Sequence, residues 1–320
     1  MPDGLRARAL TSLEDLLGPS EGRYFAAGYR GVEHTIAPPG PRATDGGVLT
    51  ATATARYPRD WSTDASGRPR TPHLSSVDAV ILMALAFEGT LGAGAGARGR
   101  WIRDVELHAG TEPWWGLDAV PVTAGPEVTD EGVQYRGKVG NIRAVVRLSD
   151  DDRAATAGAP GTAVGPGGEA PSVYGDEYRR TTCTTRVHPV DHGSHSVQAA
   201  HDFSHDARPE PAAPAGIESA YHPALTVVDY LVTMGQLTQV LVYELAGTGR
   251  TAVGNLWMRS LRILGVPRPT PLPTTLTTTT TLVRDRLVPR AGEGVHDVLV
   301  SSESSNGVHA EARLAWGGAA

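Results

Sequence analysis

Two stretches of the chain stay apolar for longer than an amphipathic helix allows. Residues 75–91, "SSVDAVILMALAFEGTL", and residues 226–247, "TVVDYLVTMGQLTQVLVYELAG", carry apolar side chains almost all round a helical wheel. A helix of that kind has to be buried on every side. Elsewhere the pattern shifts toward a period of two, the signature of half-buried strands. "GGVLTATATARY" (46–57) alternates ahead of the first run, and 100–107, 133–139 and 142–148 follow it. Segments 181–190 and 195–203 precede the second run; 255–264, 274–288, 296–302 and 307–316 follow it. The threonine-rich segment 274–288 belongs with the strands, because a β-branched side chain suits a pleated surface better than a helix.

The two halves match locally. Ser75-x-x-Asp78 and Thr226-x-x-Asp229 open the two helices, 151 residues apart (229 − 78). Trp101-Ile102-Arg103 and Trp257-Met258-Arg259 come after them, 156 apart (257 − 101). Similar offsets point to an internal duplication. A twisted antiparallel sheet wrapped around one central helix would bury each apolar run, which predicts an α+β double hotdog; another two-domain α+β fold is the alternative. Residues 150–176 are rich in Ala, Gly and Pro and cannot build a core. The expected organisation is therefore 1–150 for the first repeat, 151–176 for a linker or loop, and 177–320 for the second repeat.

Composition narrows the chemistry. A net charge of −6 argues against a nucleic-acid partner. The single cysteine, Cys183, rules out an internal disulfide and a cysteine-based zinc site, which fits a reducing, cytoplasmic compartment. Neither apolar run supplies the roughly 20 uninterrupted apolar residues of a membrane span. Lys138 is the only lysine, in a Gly-flanked polar stretch, which sets Schiff-base chemistry aside. No Walker motif, Gly-x-Ser-x-Gly elbow or His-Glu-x-x-His sequence occurs, and "GAGAGARG" (92–99) lacks the strand and helix that a dinucleotide fingerprint needs. No cofactor is expected.

The candidate chemistry gathers at the helix starts. Unpaired amides and a partial positive charge there can hold an oxyanion, and a neighbouring carboxylate or imidazole can move a proton. His73 and Asp78 flank the first start, His222 and Asp229 the second. Helix capping accounts for both aspartates equally well, since Ser/Thr-x-x-Asp resembles a capping box. Tyr230, Thr233 and Gln236 add polar character to the second helix, and Thr226, Tyr230 and Gln236 are candidates to bind and orient a substrate. Trp114 and Trp115 in "EPWWG" either lid an apolar chain or pack their loop onto the barrel. The segment "HPVDHGSHSVQAAHDFSH" (188–205) holds five histidines, with His201 and His205 on one strand face, yet it reads better as a hairpin than as a metal site. Cys183 reads as a structural thiol.

The stretch "LEDLLGPSEGRYFAAGYRGVEHTI" (13–36), with the chain length, resembles the avirulence D (AvrD) family. That resemblance implies a role in making syringolide-type acyl glycosides, by joining a β-ketoacyl thioester to a pentulose. The reaction parallels that of A-factor-type butenolide synthases. A second resemblance is to double-hotdog dehydratases, which carry a His-Pro-x-Leu-Leu-Asp motif with a catalytic Asp at the second helix start. "HPALTVVD" begins the same way, but Asp229 falls seven residues after His222 instead of five, and Val227 occupies the matching position. The first-repeat dehydratase motif is absent, with His34 the nearest candidate. Together these imply an acyl carrier protein or CoA thioester as substrate and a small hydroxylated acceptor. Asp229, with His222 or His73, would act as acid/base. Dehydration or thioester hydrolysis is the alternative within enzymes, and non-catalytic binding of an acyl ligand the alternative outside them. A homodimer is left open.

Overall fold

In the computed structural model both apolar runs are helices held inside one sheet. It describes residues 10–37, 44–45, 47–64, 66–91, 95–130, 132–150, 171–207, 213–249, 256–290 and 293–317. The first central helix is Ser76–Leu91, the second Val227–Leu245. Val77, Ala79 and Ile81 to Ala84 on the first are shut off from solvent, as are Val227 and Leu237 on the second. The two helices also lie against each other.

The first repeat contributes β2 (Glu33–Ile36), the two-residue β3 (Thr44–Asp45) that pairs only with β4, β4 (Val48–Arg56), β5 (Arg100–His108), β6 (Val120–Thr129), β7 (Gly132–Val139) and β8 (Ile142–Asp150). The second contributes β9 (Thr181–Val187), β10 (Ser196–His205), β11 (Trp257–Leu264), β12 (Thr274–Arg290), β13 (Glu293–Ser304) and β14 (His309–Trp316). Within the sheet the orders are β2-β4-β6-β7-β8-β5 and β9-β10-β12-β13-β14-β11, the same path taken twice. In each repeat the central helix follows the second of these strands. β5 pairs with β11 antiparallel, so the two halves form one continuous sheet. This is a double hotdog.

The duplication extends to irregular features. The β5–β8 pairing shifts register between Ile102 and Asp104, and the β11–β14 pairing shifts between Met258 and Ser260. The arginine of each Trp-x-Arg motif, Arg103 and Arg259, is thus the extra residue of a β-bulge, which explains why this short motif recurs. A 3-10 turn leads into the first strand of each repeat, and its tyrosines, Tyr29 and Tyr178, stack with ring centroids 6.4 Å apart.

Three features depart from the expected layout. Strand β6 carries Pro121 and Pro126, which mask its pattern. Neither proline breaks a ladder: Pro121 faces Thr52 of β4 and stands at the end of the β6–β7 ladder, where its carbonyl still accepts the Gly140 amide at 2.9 Å, and Pro126 faces Tyr135 of β7 after the β4 pairing has ended. The N-terminal segment joins the second repeat. Thr11–Ser12 (β1) pairs with β9, and Leu13 and Leu17 bury against Val187, Leu237 and Leu241. Of the low-complexity segment, 151–170 lie outside the described residues. Residues 171–176 form a packed turn in which Val173 and Tyr174 enter the core. No helix among the described residues is long and apolar enough to cross a membrane.

Candidate active site

The two helix starts occupy equivalent places in the duplicated fold, yet they are built differently. At the first, the Asp78 amide donates to Ser75 Oγ at 3.1 Å and the Ser75 amide donates back to Asp78 Oδ2 at 2.7 Å, a reciprocal capping box. Capping does not exhaust this carboxylate. Its Oδ1 lies 2.7 Å from His34 Nε2, which reaches in from β2, and its Oδ2 also accepts the Tyr57 hydroxyl. Both members of the His34–Asp78 pair are closed to solvent. Burial alone would raise the Asp78 carboxyl; the His34 hydrogen bond and charge, then Tyr57 and the Ser75 amide, outweigh it and hold the carboxyl below its ordinary range.

The network continues outward to a cavity. The Tyr57 hydroxyl also donates to the His73 carbonyl at 2.9 Å. The Tyr24 hydroxyl is hydrogen-bonded to Ser75 Oγ, and its ring stacks on Tyr57 at 6.2 Å. Burial, reinforced by the Asp78 charge, drives both phenols well above their usual range, so they stay protonated near neutrality. Tyr24, Ser75, Ser76 and His73 line a cavity of about 980 Å³. The His73 ring sits among three indoles, those of Trp61, Trp115 and Trp257, at 5.9, 5.8 and 5.0 Å. Burial lowers its pKa, against the Thr71 backbone and Asp78, so its imidazole is neutral at pH 7.

The second helix supplies the long wall. Leu231, Met234, Gly235, Thr238 and Gln239 face the cavity. Their spacing of i, i+3, i+4, i+7 and i+8 is one helix face. Leu261, Ile263, Ala310 and Leu314 from β11 and β14 extend the apolar lining. Both Trp114 and Trp115 border the cavity as well, while the Trp114 carbonyl accepts the Leu74 amide at 3.0 Å, so the loop is fastened directly before the first helix.

The start of the second helix is closed. Asp229 is 4% exposed, and its Oδ2 accepts both the amide and the hydroxyl of Thr226, at 2.8 and 2.9 Å. Burial pushes its carboxyl up to about 6, against the Thr226 hydrogen bonds. Neither Asp229 nor Thr226 is among the cavity walls. Gln236 accepts from Arg23 Nη1 at 3.3 Å, and that arginine lines the cavity. The Tyr230 hydroxyl accepts from Asn306 at 2.7 Å. His222 lies against Glu177 and His205. Of the residues singled out from the sequence, the structure thus gathers His73, Trp114 and Trp115 around the cavity with Asp78 one hydrogen bond behind. Asp229, Thr226, His222, Tyr230 and Gln236 lie elsewhere.

The histidine-rich hairpin does not assemble as one group. His201 is buried and bonded to Thr185 at 2.9 Å, with burial lowering its pKa to about 4, whereas His205 turns to Glu177. Burial pushes the Cys183 thiol up to about 12, which removes it as a nucleophile. Tyr24, Tyr57 and Trp61 join the site with no local signal in the sequence, and Trp257 was marked only by the recurring Trp-x-Arg motif. His34 carried one, as the nearest match to a first-repeat histidine.

The sequence model of the Pseudomonas avirulence D protein (AvrD) family matches residues 8–315. No curated protein matches the chain. Solved structures similar to it include the 12:0-ACP thioesterase from Umbellularia californica, at 11% identity and a TM-score of 0.44, covering 85% of this chain and 98% of that one. A conserved protein of unknown function with a hot dog fold from Alicyclobacillus acidocaldarius gives 10% identity and 0.41, covering 89% and 96%. The dehydratase domain from the CurJ module of curacin polyketide synthase gives 9% and 0.35, covering 88% and 95%.

Proposed function

The chain belongs to the avirulence D (AvrD) family, and on that premise we propose that it is an acyltransferase that moves a β-ketoacyl group from a carrier-protein or CoA thioester to a keto-sugar-type hydroxyl. The observation that carries this reading is the cavity itself. It couples a long apolar wall, suited to an acyl chain, to a polar end where His73 stands beside the first helix start.

The reaction assigns each part a task. The acyl chain lies along Leu231, Met234 and Ile263, and the thioester carbonyl points at the first turn of Ser76–Leu91. Backbone amides there hold the oxyanion. Neutral His73 takes the proton of the acceptor hydroxyl as its oxygen bonds to the carbonyl carbon. The C–S bond then breaks, and the proton passes to the departing sulfur. Tyr24 and Ser75 orient the acceptor, while Asp78, fixed by His34 and Tyr57, positions the helix start. The indoles around His73 keep water out and offer flat faces to a sugar ring.

The test is to incubate the protein with a β-ketoacyl carrier protein, with and without xylulose, and follow products by mass spectrometry. An acyl ester that forms only when xylulose is present is expected. Free acid or enoyl product would replace transfer with hydrolysis or dehydration, and binding without turnover would replace catalysis with ligand capture.

A further inference from the structure

Away from the cavity, three ligating side chains converge at the edge of the second repeat. Glu177 opens the 3-10 turn Glu177–Arg180, His205 ends β10, and His222 lies just ahead of the second helix. The β9–β10 register opposes His205 to Thr181, immediately after that turn, which brings the histidine over Glu177. Both imidazoles present Nε2 to the same carboxylate oxygen, Glu177 Oε2, at 3.6 Å for His205 and 3.4 Å for His222. All three ligand atoms lie within 4.8 Å of one another. The two rings stand at 87°, with centroids 4.7 Å apart.

The geometry points to a site for one divalent first-row transition ion, of which zinc is the model, held by His205, His222 and Glu177. Ligands about 2.1 Å from a shared ion stand about 3.4 Å apart at tetrahedral angles. The observed nitrogen–oxygen spacings match that edge and exceed the usual hydrogen-bond length of about 2.9 Å. Two imidazoles and one carboxylate suit zinc, cobalt or iron(II) better than magnesium or calcium, which favour all-oxygen shells. Glu177 is nearly buried, while the side chains of His205 and His222 keep 10% and 16% of their surface, enough for an ion and a completing water to enter.

Duplication sharpens the inference. The counterparts of Glu177, His205 and His222 in the first repeat are Gly28, Tyr57 and Thr71, by offsets of 149 (177 − 28), 148 (205 − 57) and 151 (222 − 71). Strand pairing supports the middle one: Glu33 opposes Arg56 as Thr182 opposes Ser204. A common scaffold does not require these three side chains, so they are particular to the second repeat. In the first repeat the same place is taken by Tyr57 and its bond to Asp78.

The experiment is a cobalt(II) titration of the full-length, chelator-treated protein. One equivalent should produce d–d absorption that zinc(II) abolishes. His205→Ala and His222→Ala should each lose the spectrum, and Glu177→Gln should weaken binding at least tenfold. The double variant His192→Ala/His195→Ala should match the unaltered protein. His205→Cys keeps a ligand, so it should bind cobalt and add a thiolate charge-transfer band, a gain that misfolding cannot produce. The site is overturned by the absence of saturable d–d absorption in the unaltered protein. It is equally overturned by a spectrum that persists in His205→Ala, or by a cobalt-bound His205→Cys protein without the thiolate band.

Discussion

Asp78 and Asp229 descend from one position in a duplicated unit, and their surroundings drive them in opposite directions. Asp78 is buried against His34 and Tyr57 and stays ionised; Asp229 is buried with Thr226 as its hydrogen-bonding partner and Arg30 as a weaker charge, and its carboxyl rises to about 6. The counterpart of His34 is Cys183, by an offset of 149 (183 − 34), and that of His73 is Ala224, by 151 (224 − 73). The second start has therefore lost both imidazoles that serve the first. What it contributes to the cavity is its helix flank. Duplication supplied two equal frames, and one became the polar end of the cavity while the other became its wall.

The sharpest way to break this contrast is at His73. His73→Ala should cut kcat by about 10²–10⁴ in the transfer assay while circular dichroism stays unchanged. Activity within threefold of the original would show that the proposed base is elsewhere, and would restore Asp229 or His222 to consideration.

Next in size is the paired substitution of the two aspartates. Asp78→Asn cannot serve the His34, Tyr57 and Ser75 groups together as the carboxylate does, and should cost about 1–3 kcal/mol in urea unfolding, as does leaving a buried polar group unsatisfied. Asp229→Asn keeps an amide oxygen for the Thr226 donors and should change stability at pH 7 little or favourably. Equal costs at the two positions would mean that the helix starts are equivalent after all.

The same pair should separate by pH. Because the folded pKa of Asp229 is raised, from an unfolded value near 3.9 to about 6, the folded state binds its proton more tightly. Its contribution is fully present below about pH 4 and is lost as pH rises through about 6, worth at most about 3 kcal/mol. The difference between the unaltered protein and Asp229→Asn should decline across that window in urea midpoints taken every half pH unit; a flat difference would rule out the raised carboxyl. Asp78 works the other way: its stabilisation is present above its unfolded pKa and is lost only as pH falls through its lowered folded value.

Cys183→Ala should have the smallest effect, about 1 kcal/mol of stability and no change in turnover, since a thiol pushed up to about 12 is neither nucleophile nor base. A marked loss of activity would give the second repeat a chemical role that its geometry does not suggest.

Much of the frame was legible from pattern alone. Two helices apolar all round had to be wrapped, period-two segments around them supplied the wrapping, and the recurring Ser/Thr-x-x-Asp and Trp-x-Arg motifs marked the duplication, because capping and bulge formation depend on residues close in sequence. The prolines of β6 hide its strand pattern, and only the assembled sheet reveals that they fall at the ends of its ladders. Thr11 to Leu17 could not be assigned to the second repeat from sequence, because their partners, Val187 and Leu237, are far along the chain.

The site divides the same way. His73, Asp78, Trp114 and Trp115 were recognisable by residue type and by nearness to a helix start. Which start opens on the cavity was not. That choice depends on His34 reaching across from β2, on Tyr24 and Tyr57 closing over Ser75 and Asp78, and on Trp61 and Trp257 meeting around His73, contacts that span from 12 residues (73 − 61) to 184 (257 − 73). Most of the elements, their duplication and the capping chemistry follow from local periodicity and short-range hydrogen bonds, which the order of residues along the chain fixes. That two equal carboxylates titrate in opposite directions was settled by the fold, because burial and hydrogen bonding are set by side chains that tertiary packing, not the chain order, makes neighbours.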